Sequence, residues 1–244
     1  GSVEECYEFS MKAFDMAERL QTPVFVLTDL DLGMNNWMSD PFKYPTEPFD
    51  RGKVLSAEDL EKLGGFARYK DVDGDAIPYR TLPGTPHDKA AYFTRSSGHN
   101  ENAGYTEKPE DYVNLMDRLK RKWEYAKKLV PPGVVETEKD AKVGIIAFGS
   151  THWAVVESRD QLKEQKMPTS YLRIRALPFT EKVKDFVEAH DTVYVVEQNR
   201  DGQMLDLIRL EYPMLATKLK SIRHYNGLPI DAQFITEHIV EQEN

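Results

Sequence analysis

The chain has 244 residues and a formal net charge of -9, with 40% hydrophobic and 30% charged residues. This is enough apolar material for a sizeable core in one or two domains. The acidic balance argues against general nucleic-acid binding, which needs clustered Lys and Arg. No apolar run reaches the roughly 18 residues of a membrane helix, and the first residues do not read as a secretory signal. Neither a membrane partner nor export is expected.

Metal chemistry is not expected in this chain either. Cys6 is its single cysteine, so one thiolate cannot hold an iron–sulfur cluster, a structural zinc or a disulfide framework. His152, His190, His224 and His238 are scattered and show no paired metal-ligand spacing. A reducing, cytoplasmic location is the natural expectation for such a composition.

The first part of the chain predicts one helix and one strand before a long irregular stretch. Residues 3–21 repeat apolar side chains at helical spacing, and the run 24–27 after Pro23 predicts a buried strand. Residues 33–108 are rich in Pro and Gly, and loops of this length usually carry function or bind a neighbour. A helix is predicted at about 109–130, because Pro109 suits its first turn and Pro131 ends it.

The second part alternates strands with helices. Strands are predicted at 142–150, 169–177, 192–199 and 221–226, and helices at 153–166, 180–190, 202–219 and 231–240. This alternation is typical of a parallel sheet flanked by helices on both faces. The fold class predicted from the sequence is therefore α/β.

An acidic loop lies inside the irregular stretch. Asp71, Asp73 and Asp75 occupy alternate positions, as in an EF-hand calcium loop. The required glycine and glutamate at the sixth and twelfth positions are replaced by Ala76 and Leu82. A calcium site is therefore disfavoured. Asp and Gly favour turns here, and Arg80 is expected to pair with the local acids.

Five strings of the sequence carry a family resemblance, and together they run over essentially the whole chain. They are VEECYEFSMKAFDMAERLQTPVFVLTDLDLGMN, DVDGDAIPYRTLPGT, AAYFTRSSGHNENAGYTEKPEDY, VGIIAFGST and VYVVEQNRDGQ. In this order they resemble the alpha subunit of 2-oxoacid:ferredoxin oxidoreductases, most closely its C-terminal portion in the 2-oxoglutarate type.

The resemblance implies a domain organisation. Residues 1–32 look like the end of a thiamine pyrimidine-binding-type domain, and residues 33–139 like a long connector that contains the helix at about 109–130. Residues 140–244 resemble a transketolase C-terminal-like α/β domain.

The resemblance also implies a function. Enzymes of this family decarboxylate a 2-oxo acid oxidatively, form an acyl-CoA and reduce ferredoxin. The assembled enzyme uses thiamine diphosphate, Mg²⁺, iron–sulfur clusters and coenzyme A, and none of these is expected to bind this chain alone. The expected partners are the beta subunit and, through the complex, ferredoxin. The isolated chain is not expected to be active.

The densest polar cluster of the sequence supplies the candidate binding residues. A guanidinium, hydroxyls, an imidazole, an amide and a carboxylate suit an anionic oxo acid or coenzyme A. The candidates are Arg95, Ser97, His99, Asn100 and Glu101, and the weaker candidates are Arg80 and Asn199. Asn199 follows a predicted strand, where α/β sites often form. No catalytic residue is predicted.

Simpler or alternative interpretations compete with these assignments. Ser150 or Thr151 follows another strand and is more simply a helix cap than an anion site, since the P-loop lysine is absent. The whole chain could also be a non-catalytic subunit-docking module of the same fold, or part of a pyruvate-type enzyme of the family.

Overall fold

A computed structural model describes residues 1–94 and 98–243. The elements in chain order are α1 (Val3–Leu20), α2 (Leu30–Met34), α3 (Ala57–Leu63), α4 (Pro109–Ala126), β1 (Val134–Glu136), β2 (Val143–Phe148), α5 (Thr151–Glu164), β3 (Thr169–Ile174), α6 (Glu181–Glu188), β4 (Thr192–Glu197), α7 (Gln203–Glu211), a 3₁₀ helix (Pro213–Lys218), β5 (Leu219–Arg223) and α8 (Ala232–Glu243).

These elements belong to two compact units. The sheet unit comprises Gly1–Glu8, Leu27–Phe42 and Val130–Asn244, and the loop unit comprises Phe9–Val26 and Lys43–Leu129. The domain limits predicted at residues 33 and 140 stay predictions.

The sheet unit is built on five strands in the order β1-β3-β2-β4-β5. β3 and β4 pair with β2 in parallel, and β5 pairs with β4 in parallel. Successive side chains of β2 enter different cores: Ile145 packs with α5 and α8, and Ile146 packs with α6 and α7. Both side chains are fully buried, as expected for a parallel sheet with both faces covered. The predicted α/β class, with helices flanking the sheet, is confirmed.

The sequence did not predict β1. This strand of three residues pairs antiparallel with β3 at the edge of the sheet, so the sheet is mixed rather than purely parallel. Val135 and Glu136 of β1 are exposed, and this lack of a buried face explains why hydrophobic patterning missed the strand. Arg159 of α5 pairs with Glu136 at 2.5 Å.

Two further predictions were wrong. The run 24–27 is not a strand, and Phe25 and Leu27 are 82% and 89% exposed. A strand forms only when a neighbour accepts and donates its backbone hydrogen bonds, and none of the described strands pairs with this run. The helix predicted at 202–219 ends at Glu211, and a 3₁₀ helix starts at Pro213. Proline lacks the N–H group that an α-helix needs and clashes with the preceding turn.

The loop unit has its own small cores although most of it is irregular. Leu20, Ile77 and Ala126 form one buried cluster. A second cluster joins Leu55, Leu60 and Ala90, and α3 begins there with a reciprocal capping box between Ser56 and Asp59. The long connector is therefore ordered by local caps and small apolar clusters rather than by a sheet. Among the described helices, none has the length and apolar character that would let it span a membrane.

Gly144 tests the packing of the sheet unit. A Cβ atom at this position in β2 would lie 2.7 Å from Cε1 of Phe186 and 3.2 Å from Cγ of His190. We expect Gly144→Val to lower the free energy of unfolding by about 1–3 kcal/mol, because the site cannot accept the extra volume. Urea denaturation followed by circular dichroism measures this loss.

The matched control is Gly33→Val, since no heavy atom lies within 4 Å of a Cβ placed there. We expect this exposed substitution to change the free energy of unfolding by less than about 0.5 kcal/mol. Equal losses at the two glycines would contradict the packing described for β2.

Candidate functional site

The candidate loop of the polar cluster lies in the loop unit. Arg95 and Ser97 fall outside the described residues. His99 forms an isolated antiparallel bridge with Tyr105, and its ring centroid lies 3.8 Å from that of Tyr69. His99 also lines a cavity of about 370 Å³. Among the described candidates of this loop, His99 is the one that faces a cavity.

Asn100 and Glu101 have structural roles in the same loop. The Oδ1 atom of Asn100 accepts hydrogen bonds from the backbone N–H groups of Asn102 and Gly104, each at 3.0 Å. The carbonyl oxygen of Glu101 accepts from the N–H of Tyr69 at 2.8 Å, while its side chain is exposed. These contacts fix the turn that presents His99.

Arg80 pairs differently from the prediction. Its guanidinium donates to the carboxylate of Glu18 and, at 3.1 Å, to the carbonyl oxygen of Arg51. Lys53 instead neutralises the acidic loop, with its Nζ atom 2.7 Å from a carboxylate oxygen of both Asp73 and Asp75. The prediction that Arg80 pairs with the local acids was wrong, since the chain brings Glu18 to it from 62 positions away.

Asn199 contributes to the start of α7. Its Oδ1 atom accepts from the N–H of Gly202 at 2.7 Å, and its Nδ2 group donates to Glu197 at 2.8 Å. The carboxylate of Glu197 is fully buried and accepts from the N–H groups of Met204 and Leu205 at 2.7 and 3.0 Å. The N-terminus of α7 is therefore occupied by the chain's own carboxylate, which satisfies its free N–H groups and suits its dipole.

The carboxyl edge between β2 and β4 is the topological switch point of the sheet, where open α/β sheets usually bind ligands. In this chain the carboxylate of Asp29 lies at that edge. Its Oδ2 atom accepts from the hydroxyl of Ser150 at 2.6 Å and from the N–H of Ser150 at 3.4 Å, at the N-terminus of α5. Gln198, after β4, donates to the hydroxyl of Thr151 at 3.0 Å.

The same carboxylate also caps α2, since its Oδ1 atom accepts from the N–H of Leu32 at 3.0 Å. Burial acts to raise the pKa of Asp29, but the hydrogen bonds from Ser150 and Leu32 outweigh it and hold the pKa below its ordinary value. The sequence predicts that Ser150 or Thr151 caps α5. Ser150 does occupy the N-cap position, but it makes no side-chain capping bond and donates its hydroxyl to Asp29, and the Thr151 hydroxyl accepts from Gln198.

Sequence reasoning missed Asp29 and Glu197. A helix cap at Asp29 could have been recognised from the aspartate before LDLGM. Its bond to Ser150 could not, because the two residues are 121 positions apart. In the described ranges, no group of three or more His, Cys, Asp or Glu side chains is arranged to hold a metal ion.

Comparison with known proteins places the chain in a class. No family model matches it. It is 28% identical over 240 residues to "2-oxoacid:ferredoxin oxidoreductase 2, subunit alpha" of Aeropyrum pernix, a match that covers 94% of this chain and 35% of that protein. The resemblance inferred from the sequence is confirmed: the chain is a homologue of 2-oxoacid:ferredoxin oxidoreductase alpha subunits.

Other similar proteins include enzymes named for 2-oxoglutarate. The chain is 25% identical to "2-oxoglutarate synthase subunit KorA" of Methanothermobacter thermautotrophicus, over 89% of this chain and 56% of that protein. The fold matches the solved 2-oxoglutarate:ferredoxin oxidoreductase of Magnetococcus marinus, with a TM-score of 0.82 and 22% identity over 100% of this chain and 41% of that one. The chain thus spans between about a third and somewhat over half the length of these relatives.

Asp29 gives a pH-dependent test of the switch point. We expect Asp29→Asn to lower the free energy of unfolding at pH 7 by about 1–2 kcal/mol, because the charge-assisted bonds to Ser150 and Leu32 are lost. A depressed pKa in the folded state stabilises the fold above the unfolded pKa of about 3.9, and this stabilisation is lost as pH falls through the folded value. The difference between wild type and variant should therefore stay constant from pH 7 to about pH 5 and shrink below about pH 4.

Urea denaturation between pH 7 and pH 3 measures the difference, and the control is Asp40→Asn, which removes an exposed carboxylate of the same unit. A gap for Asp29→Asn that widens as the pH falls would contradict the role given to Asp29.

Proposed function

We propose that this chain is a portion of the alpha subunit of a thiamine diphosphate-dependent 2-oxoacid:ferredoxin oxidoreductase. The assembled enzyme would decarboxylate 2-oxoglutarate, transfer the acyl group to coenzyme A and reduce ferredoxin in the cytoplasm. The observation that carries this proposal is the sequence relation to an alpha subunit over 94% of the chain. The matching fold of an oxidoreductase solved with 2-oxoglutarate, coenzyme A and succinyl-CoA bound supports it.

The donor groups of this chain do not fit the redox and thiamine cofactors. Cys6 is a single thiol, and the described carboxylates and histidines form no three-residue cluster for a metal ion. We therefore assign the iron–sulfur clusters and the thiamine diphosphate–Mg²⁺ site to other parts of the complex, with the beta subunit as the expected partner. No catalytic step is assigned to a side chain of this chain.

This chain would supply scaffold and part of a binding cleft. The switch point and the start of α7 are already filled by Asp29 and Glu197, which supports a structural role for the sheet unit. His99 lines a cavity in the loop unit, so a contact with substrate or coenzyme A is proposed for it. For Arg95 and Ser97 the same contact is proposed from the sequence alone. For Asn100, Glu101, Arg80 and Asn199 the observed contacts favour support of the loops over ligand binding.

An exposed apolar segment of the sheet unit supports assembly with a neighbour. Leu27, Leu30, Met34 and Met38 are 89%, 78%, 77% and 97% exposed within twelve consecutive positions. Single exposed apolar side chains are ordinary, but a run of this kind marks a protein–protein contact. The proposed occupant of this surface is the rest of the oxidoreductase.

Purification of the native complex through an affinity tag on this chain tests the proposed activity. We expect the complex to reduce ferredoxin with 2-oxoglutarate only when coenzyme A is present, and the isolated chain to show no such activity. Pyruvate in place of 2-oxoglutarate distinguishes the pyruvate-type alternative. A complex that forms but reduces no ferredoxin with either oxo acid would favour the docking module, and turnover by the isolated chain would overturn the assignment.

The exposed segment predicts which substitutions weaken assembly. We expect Leu30→Ser with Met34→Ser to reduce recovery of partner polypeptides in the same purification at least about fivefold, because apolar area is lost from the contact. Leu210→Ser is the control, since Leu210 is also 78% exposed in the sheet unit but lies on α7. Unchanged recovery with the double variant would show that partners bind elsewhere.

A further inference from the structure

The loop between β5 and α8 holds an exposed Asn-Gly pair, and we propose that this pair is a site of spontaneous deamidation in the folded chain. Asn226 and Gly227 form the only Asn-Gly pair of the sequence. They lie in the β5–α8 loop, residues 224–231. Asn226, Gly227 and Leu228 are all exposed, so water and hydroxide ion reach the amide group from bulk solvent.

Deamidation at this pair proceeds through a ring. The backbone nitrogen of Gly227 attacks Cγ of Asn226, the new C–N bond closes a succinimide, and the side-chain NH₂ group leaves as ammonia with the proton of the Gly227 nitrogen. Water then opens the ring. Attack of water at Cγ gives aspartate, and attack at the main-chain carbonyl carbon gives isoaspartate, in which the backbone runs through the side chain. Nothing is oxidised or reduced, and water is the co-reactant.

A hydrogen bond holds the amide of Asn226 in place for this attack. Its Oδ1 atom accepts from the N–H of Leu228 at 2.9 Å, so the side chain forms an Asx turn with the backbone two residues further on. The bond closes a ring of atoms that includes both Cγ and the Gly227 nitrogen, which keeps the two reacting atoms close. The same N–H donor stabilises the negative charge that develops on Oδ1 during attack, as an oxyanion hole does.

Gly227 supplies an accessible nucleophile. Its φ is +88°, in the left-handed region that favours glycine. No heavy atom lies within 4 Å of a Cβ placed there, so neither a side chain of its own nor a neighbour shields the nitrogen. Its N–H group has no hydrogen-bond acceptor in the part of the chain that the structure describes. The nitrogen can therefore lose its proton to hydroxide without breaking a bond of the fold.

The two Asp-Gly pairs of the sequence could close the same ring, but their glycine nitrogens are engaged. The N–H of Gly74 donates to Oδ1 of Asp71 at 2.9 Å. The N–H of Gly202 donates to Oδ1 of Asn199 at 2.7 Å. Attack from either nitrogen would cost a hydrogen bond. This difference singles out Gly227 among the glycines that follow Asn or Asp.

The fold can accept the products. Before the loop, the N–H of His224 donates to the carbonyl oxygen of Glu197 at 2.9 Å. After it, Ile230 is 8% exposed and belongs to the core between the sheet, α5 and α8. The modified residue lies between these two anchors in solvent, where a new carboxylate stays hydrated. We therefore expect the modified chain to stay folded and to accumulate, with its net charge more negative.

Incubation of the full chain at mildly alkaline pH, followed by peptide mass spectrometry, tests this proposal. We expect the peptide with Asn226 to yield both aspartate and isoaspartate, faster at higher pH because the deprotonated nitrogen attacks. Asn102 is the control within the same sample: it is exposed, but the N–H of Ala103 after it donates to the carbonyl oxygen of Asn100 at 3.1 Å. Asn102 should convert at least about tenfold more slowly, since a Cβ and this hydrogen bond both hinder the nitrogen.

Two variants test the ring. Asn226→Gln should keep its amide, because glutamine would have to close a larger ring. Gly227→Ala should slow conversion at least about fivefold, since a Cβ hinders the nitrogen and disfavours the positive φ. Conversion of Gly227→Ala at the wild-type rate, or formation of aspartate without isoaspartate, would indicate direct hydrolysis of the amide and overturn the proposal.

The same incubation in urea separates the effect of the fold from that of the sequence. We expect the folded chain to convert within about tenfold of the rate of the unfolded chain, because the loop leaves both reacting groups open to solvent. An Asn226 that keeps its amide in the folded chain and converts in urea would show that the fold shields the pair, and would overturn the proposal. None of these measurements requires turnover or a partner, so their outcome is independent of the activity proposed above.

Discussion

The placement of carboxylates at helix N-termini is the constraint on which the sheet unit depends. Asp29 accepts hydrogen bonds at the start of α5, and Glu197 does so at the start of α7. Free N–H groups and the helix dipole make such places attractive to anions. Because the chain fills them itself, the edge of the sheet that usually serves ligands serves cohesion here. Residues 27–42 are thereby tied to the strands although they lie more than 100 positions away in sequence.

In the loop unit, charged side chains are neutralised by ion pairs rather than by helix N-termini. Lys53 balances Asp73 and Asp75, and Glu18 balances Arg51 and Arg80, so these two clusters neutralise themselves. Arg68, Arg118 and Lys122, which line the cavity beside α4, form no ion pair with the described residues. An uncompensated buried charge is costly in a purely structural role and useful in binding. This contrast between the two units directs the search for ligand contacts to the loop unit.

Much of the fold followed from hydrophobic patterning. The strands near 143, 169 and 192 and the helices between them were predicted because their residues are apolar on two faces or at helical spacing. The run 24–27 has the same apolar character, yet it forms no strand. A hydrophobic pattern indicates that a segment could be buried, but it does not show whether a neighbouring strand is present to pair with it. The site was less accessible to such reasoning: His99 stood out in a polar string, whereas Arg68, Arg118 and Lys122 are ordinary charged residues until α4 and the loop after α3 bring them together.

The edge strand β1 controls how far the sheet extends. It has three residues, follows Pro131 and Pro132, and carries Glu136 paired with Arg159. Open sheet edges present unpaired N–H and C=O groups that recruit strands from other molecules, and proline, charge and short length all discourage this. Pairing of another molecule's strand with β1 is therefore disfavoured, which leaves side-chain surfaces and the opposite edge strand, β5, for association.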